Sequence, residues 1–263
     1  MAVNEAVELA HRDGVLTAAS LMVGAPAAAE AVARARAMPG LGVGLHLVLV
    51  DGRPVLPARA VPDLVDGGGR FRSNMTLAGV NFLWPRVRRQ LAAEIKAQFE
   101  AFAATGLQLD HVNAHKHFHL HPVVASLLLE IGPRFGMQSV RAPIEPGAVL
   151  ARVEQGANPV SARLAGTYAQ RLAGRLRRAG LRVPDAVFGL RWTGHLTAER
   201  LAGLIACLPG GLVEIYAHPA TCDDFVGHAP GAEHRAELAA LVDPQVRAAV
   251  VASGARLTSF AGA

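Results

Sequence analysis

The chain has 263 residues, of which 51% are hydrophobic and 18% are charged, and its formal net charge is +5 at pH 7. A chain of this length and composition can bury a large core, which excludes intrinsic disorder and collagen-like repeats. No apolar run approaches the roughly 18–20 uncharged residues that a membrane-spanning helix needs.

Almost all of the positive charge is arginine, since Lys96 and Lys116 are the only lysines. The excess of arginine is explained either by an arginine-rich proteome or by an anionic partner such as a membrane surface. No RNA- or DNA-binding motif is present, so we expect no nucleic-acid partner. Two cysteines, Cys207 and Cys222, are too few for a disulfide framework, and no basic signal region opens the chain. We therefore expect a cytoplasmic protein.

Short apolar runs bounded by turn residues alternate with Ala-rich or amphipathic segments of about 10–15 residues. In chain order, the predicted elements are helix 4–13, strand 16–23, helix 26–37, strand 42–50, helix 84–105, strand 108–114, helix 123–135, strand 139–141, helix 155–182, strand 186–190, helix 197–207, strand 212–217, helices within 231–253 and strand 256–260. The helix at 84–105 carries one apolar stripe, formed by Val87, Leu91, Ile95, Phe99 and Phe102.

This alternation predicts an α/β fold with a mainly parallel sheet, and a (β/α) barrel is the natural closure for so many units. We expect a single domain over residues 1–263, with excursions at about 51–80 and 144–185. Because a protein of this class normally opens with a strand, whereas this chain opens in a helix, we expect that the first strand of the barrel is missing.

Five of the eleven histidines lie between residues 111 and 121, and all five are at odd-numbered positions: His111, His115, His117, His119 and His121. Along an extended strand these side chains would share one face, at the mouth of the barrel where active sites of such folds lie. Neutral imidazole is a common ligand of Zn²⁺, so the cluster predicts a metal site. For any single histidine the alternative is a core or capping residue bonded to the backbone.

Two further histidines end apolar strands, His46 in the sequence GVGLHL and His218 in EIYAHP. Three strands that end in histidine on one side of a sheet are not expected by chance. Arg141, in SVRAP, adds a cation at a fourth strand end, and its alternative role is a surface salt bridge.

These segments, together with VNEAVELAHRDGVLTAASLMV at 3–23 and RAELAALVDPQVRAAVVASGARLTSF at 235–260, resemble the YdjC-like carbohydrate deacetylases, which remove acetyl groups from N-acetylated sugars. More narrowly, the chain resembles the hopanoid-biosynthesis-associated branch (HpnK type). The resemblance implies a (β/α) barrel related to the polysaccharide deacetylases, with a divalent metal, Zn or Mg, held by one aspartate and two histidines. Carried onto this sequence, the histidine ligands are His46 and His115, with His117 and His119 as further candidates for contact with metal or substrate.

By the same resemblance, His218 corresponds to the general acid and Arg141 to the residue that orients the catalytic carboxylate. The chain departs from the family pattern at Asn113-Ala114-His115, where Asp-Ser-His is usual, so hydrogen bonding to the metal ligand is expected to differ. The family also opens with a strand that ends in Ala-Asp-Asp-Phe-Gly, just before the segment that begins here at Ala2. Those two aspartates supply the base and the third metal ligand. A misassigned start, an engineered truncation and a true loss all remain open.

The sequence therefore predicts a metal-dependent N-deacetylase of an N-acetylated amino sugar, with an acetylglucosaminyl hopanoid glycolipid as the expected substrate. The alternative is a catalytically silent binding protein, since the base and the metal-ligand aspartates are absent from this chain. The arginine-rich segment at 163–182 is either a solvated helix face or a peripheral contact with an anionic membrane, at its inner face, and a second copy of the chain is another candidate partner.

Overall fold

The computed structural model describes residues 1–154 and 160–263, so the first five residues of the helix predicted at 155–182 lie outside the described residues. The described strands are short and largely buried. They are β1 (Ala18–Leu21), β2 (Gly42–Leu47), β3 (Leu109–Ala114), β4 (Ala186–Phe188) and β5 (Val213–Ile215).

Helices connect and flank these strands. They are α1 (Ala2–Asp13), α2 (Ala28–Arg36), α3 (Met75–Asn81), α4 (Pro85–Ala104), α5 (Pro122–Ile131), α6 (Gly147–Val153), α7 (Val160–Arg178), α8 (Ala198–Ala206), α9 (His234–Val242) and α10 (Pro244–Ser253). The excursion predicted at 51–80 contains a short 3₁₀ helix, Ala58–Ala60, and most of α3.

All the strand pairs are parallel, in the order β1-β2-β3 for one sheet and β4-β5 for the other. The register places Ser20 beside Gly44, and His46 beside Asn113, which brings polar side chains of three strands together. The predicted α/β class is confirmed. Within residues 1–154 and 160–263 the strands form two small open sheets, and a closed barrel is not shown.

The apolar stripe of α4 packs as predicted. Leu91 and Ile95 are fully buried, and Phe99 and Phe102 are nearly so. They pack in the same hydrophobic core as side chains of β2 and β3, so this helix is held against that sheet. Truncating a leucine in such a core to alanine typically costs about 2–5 kcal/mol of stability.

The prediction of a last strand at 256–260 is wrong, because that segment forms no strand in the structure. Its backbone bonds to a side chain instead, since the N–H groups of Phe260 and Ala261 donate to the Asp110 carboxylate. The strand predicted at 139–141 is reduced to isolated bridges that join Ser139 to Arg182 and Val140 to Val112.

The histidine segment also departs from the prediction. β3 ends at Ala114, and His115–Leu120 forms 3₁₀ turns in which Lys116 and His117 have φ values of 49° and 55°. Because the chain turns there to enter α5, which begins at Pro122, the strand cannot continue and the five histidines do not share one face. Each left-handed residue costs about 1–2 kcal/mol, so neighbouring contacts must hold the turn.

Candidate functional site

His46 lies near the end of β2, between the fully buried side chains of Leu45 and Leu47. Its Nδ1 is 2.6 Å from Oδ1 of Asn113 on β3. Burial lowers the pKa of His46 to about 3, and this outweighs the hydrogen bond to Asn113, which raises it. The imidazole is therefore neutral at pH 7 and keeps one ring nitrogen as an acceptor.

His115 directly follows β3 and faces His46. The two ring centroids are 5.9 Å apart at an interplanar angle of 69°. Burial and the neighbouring charge of Lys116 lower the pKa of His115. Two uncharged imidazoles thus meet edge to face near the ends of β2 and β3, and neutral imidazole is the form that binds a metal ion.

His117 and His119 lie in the turn after β3, with ring centroids 5.7 Å apart. Burial, followed by the charge of Arg141, lowers the pKa of His117 to about 4, and its Nε2 lies 3.3 Å from the Tyr216 hydroxyl. The Nδ1 of His117 is buried and has no hydrogen-bond partner among the described residues. His119 is 1% exposed, and burial lowers its pKa well below the usual range.

Arg141 forms a buried ion pair with Glu214 of β5. Its Nε donates to both carboxylate oxygens, at 2.9 and 3.0 Å, and Nη2 donates to Oε1 at 2.5 Å. The side chains are 9% and 11% exposed, so the surface salt bridge considered for Arg141 is wrong. The guanidinium carbon also lies 4.5 Å from the centre of the Tyr216 ring, which adds a cation–π contact.

His218 follows β5 and is fixed through its own backbone. Its N–H donates to the Glu237 carboxylate, and its carbonyl lies 2.5 Å from Nδ1 of His234. Burial, followed by the charge of Arg141, lowers the pKa of His218 to about 4. The side chain is therefore a neutral imidazole at pH 7, able to accept a proton before it can donate one.

These side chains open into one cavity of about 2320 Å³. Its lining includes His46, His115, His117, Arg141, Glu214 and His218. The structure thus brings these six residues together, whereas His119, which is 1% exposed, and His121 are not part of the lining.

The residues described do not make a complete metal site. Over 1–154 and 160–263, no group of three or more histidine, cysteine, aspartate or glutamate side chains is placed to hold a metal ion. Catalytic zinc sites use three protein ligands and a water, whereas His46 and His115 offer two. The nearby carboxylate of Glu214 is occupied by Arg141, and that of Asp51 contacts Lys116.

Sequence reasoning missed the partners that hold the site. Glu214 and Tyr216 share the parity of His218 along the strand, so the period of two could have indicated them. Ser20 and Glu237 carried no local signal, because their contacts join segments far apart in the chain.

Taken together, the structure is that of an α/β protein with a histidine-rich cavity at the ends of parallel strands, a class that includes many enzymes. The profile of the YdjC-like protein family matches residues 1–252, so the chain belongs to that family. The resemblance to YdjC-like proteins drawn from the sequence is thereby confirmed.

Similar proteins extend this finding. A Geobacillus stearothermophilus protein named carbohydrate deacetylase is 31% identical over 98% of this chain and 91% of its own length. A Brevibacillus brevis protein of the same name is 41% identical, and there the match spans only 51% of each chain. An Enterococcus faecalis V583 crystal structure, at 22% identity, shares the fold over 98% of this chain and 92% of that one, with a TM-score of 0.73.

Proposed function

We propose that this protein is a carbohydrate deacetylase that hydrolyses the acetamide of an N-acetylated amino sugar. The observation that carries the proposal is the shared cavity, which joins neutral imidazoles from two strand ends to a buried Arg–Glu pair. Full-length similarity to a relative named carbohydrate deacetylase supports the same activity.

The reaction forms a bond between water oxygen and the carbonyl carbon and breaks the C–N bond, which releases acetate and an amine. His218 is neutral at pH 7, so it takes the proton of the attacking water and passes it to the leaving nitrogen. The resemblance implies only the second of these two roles, that of general acid. Arg141 and Glu214 hold each other beside this imidazole, and Arg141 favours its uncharged form.

A divalent metal, Zn or Mg, is a separate part of the proposal. His46 and His115 would provide two ligands, and a bound metal would polarise the carbonyl and acidify water. Because the described residues offer no third ligand, no step above is routed through a metal. Metal analysis of the purified protein tests this part. His46→Ala and His115→Ala should each reduce bound metal, while His11→Ala, at a histidine outside the cavity lining, should not.

For the substrate, we favour an amphiphilic glycolipid, and the acetylglucosaminyl hopanoid is the specific candidate. The cavity exceeds the roughly 300–1,000 Å³ of ordinary ligand sites. Away from the histidines its walls are largely apolar and include Leu21, Ala31, Met38, Leu41 and Leu257. Acetate release from an N-acetylglucosamine glycolipid and from a short N-acetylated oligosaccharide tests this choice. A lower KM for the oligosaccharide would contradict it.

The second candidate is a catalytically silent binding protein. One reason is the incomplete set of metal ligands among the described residues. The other is that the described cavity residues include no free acidic base, because Glu214 and Asp51 are both paired with cations. Saturable binding of an N-acetylated amino sugar with no acetate released, even with added Zn²⁺ or Mg²⁺, would favour this candidate over the deacetylase.

We also propose peripheral contact with an anionic membrane through α7. Arg171 and Arg178 are exposed on this helix, and the side chain of Arg163 lies outside the described residues. No helix in the described part of the chain is long and apolar enough to cross a bilayer. Clustered arginines attract anionic lipid headgroups by about 1 kcal/mol each, which suits an enzyme acting on a membrane lipid.

A further inference from the structure

A continuous chain of hydrogen bonds runs behind His46. Asp110 Oδ2 is 2.8 Å from His111 Nδ1, and His111 Nε2 is 2.9 Å from Ser20 Oγ. Ser20 Oγ is 2.9 Å from Asn113 Nδ2, and Asn113 Oδ1 is 2.6 Å from His46 Nδ1. These five residues, which we call the relay, link three neighbouring strands through side chains alone. Nothing in the reaction described above uses its inner members.

The inner end of the relay has a fixed direction. Burial raises the pKa of Asp110, but the hydrogen bonds from His111 and from the Ala261 N–H outweigh it, so the carboxyl is ionised and accepts only. Nδ1 of His111 must therefore donate to it. On its other side, Nε2 of His111 lies 2.9 Å from the Ser20 hydroxyl, which can donate its single proton there.

The outer end is fixed by Asn113. Its amide donates from the NH₂ group to Ser20 Oγ and turns its oxygen toward His46 Nδ1. An amide oxygen accepts only, and His46 Nδ1 must carry the proton.

β2 leaves room for the relay through two glycines. A Cβ at Gly44 would lie 2.5 Å from the His111 ring, and one at Gly42 would lie 2.8 Å from the Asp110 carboxyl carbon. Any side chain there would displace the ring or the carboxylate. The sequence GVG before His46 is thus matched to the relay behind it.

We infer that Ser20, Asn113, His111 and Asp110 are positioning residues that hold His46 as its Nδ1–H tautomer, with the Nε2 lone pair left for a ligand. The assignment of the Nδ1–H tautomer does not depend on the proposed function. Only the use of the Nε2 lone pair by a metal or substrate rests on that function. A tautomer set by a partner on the opposite nitrogen is the usual means of orienting a ligand histidine.

The test is ¹⁵N NMR of the full chain labelled in its histidines, at about pH 8 without added metal. His46 is assigned from the signals lost in His46→Gln. We expect a protonated Nδ1 and an unprotonated Nε2 in the wild-type protein. In Ser20→Ala the amide of Asn113 is freed to turn, so His46 should become a mixture of tautomers, and Ser20→Thr should restore the single form. Ser73→Ala, at an exposed serine, is the matched control and should change nothing.

A wild-type His46 protonated on Nε2 would overturn the inference, whatever the Ser20 variants show. A single unchanged tautomer in a folded Ser20→Ala protein would remove Ser20 from the relay and overturn it as well. Neither NMR measurement depends on acetate release. A failed deacetylase assay therefore does not affect the tautomer assignment, and a wrong tautomer assignment does not affect the deacetylase assay.

Discussion

The two halves of the cavity differ in whether their side chains are charged. One half, His46 and His115, presents uncharged nitrogens, whereas the other, Arg141 and Glu214 beside His218, contains a full ion pair with side chains about one-tenth exposed. After burial, the charge of Arg141 helps to lower the pKa of His46 and of His218. The comparison teaches that one buried cation helps to keep one imidazole of each half neutral, His46 and His218, and so able to bind or to accept a proton.

The largest expected effect comes from breaking the ion pair. Arg141→Met leaves the Glu214 carboxylate buried without its partner, which should lower the free energy of unfolding by about 3–5 kcal/mol. Lys96→Met is the matched control, since its pair with Glu100 is half exposed and should contribute less than about 1 kcal/mol. Urea unfolding measures both.

A double variant sharpens the same test. Arg141→Met with Glu214→Leu replaces both charges by apolar groups and should recover much of the lost stability. A single-variant loss below about 1 kcal/mol, or a double variant no more stable than the single one, would contradict a buried and mutually dependent pair.

A smaller effect concerns pH. The folded pKa of His117 is about 4, below the ordinary value of 6.5. The unfolded chain therefore binds the proton first, and stability that is present above pH 6.5 is lost as the pH falls toward 4. Each pKa unit corresponds to about 1.4 kcal/mol, so this residue should contribute on the order of 2–3 kcal/mol to the loss.

His117→Gln removes that contribution, so the variant should lose less stability than the wild-type protein between about pH 7 and pH 4.5. Unfolding by urea at the two pH values gives the difference, and His195→Gln, at a half-exposed histidine, serves as the control. Parallel losses in the wild-type and His117→Gln proteins would show that His117 titrates normally.

The fold was largely predictable because its signals are local. The stripe of α4 and the apolar runs of β2 and β3 are patterns within single segments, and the structure places those elements close to the predicted bounds. The 256–260 segment was mispredicted because its apolar pattern allows a strand, whereas its backbone donors bind Asp110, about 150 residues earlier.

The sequence indicated which histidines come together in the cavity, but it did not indicate how they are arranged. Alternation suggested that His115, His117 and His119 share one strand face, but the left-handed turn at Lys116 and His117 separates them. That turn depends on the entry into α5, which no two-residue period reveals. The contact between Ser20 and His111, 91 residues apart, was likewise invisible to spacing arguments.

The smallest expected effect lies outside the cavity. Replacing Arg171 and Arg178 by glutamine should weaken binding to vesicles that contain phosphatidylserine, by about 1 kcal/mol for each arginine at low salt. Co-sedimentation at low and high salt measures it, with Arg12→Gln, on the exposed face of α1, as the control. If the wild-type protein does not bind such vesicles at low salt, α7 is a solvated helix and not a membrane contact.

The central claim is that the cavity is a deacetylase site in which His218 carries the proton. The most direct measurement is the release of acetate and free amine from an N-acetylglucosamine substrate by the wild-type protein, His218→Gln and the control His11→Gln, at a histidine outside the cavity lining. The account predicts equal amounts of the two products, with kcat about 10²–10⁴-fold lower in His218→Gln and unchanged in the control. No release by a wild-type protein that binds the substrate, or an unchanged kcat in His218→Gln, would contradict it.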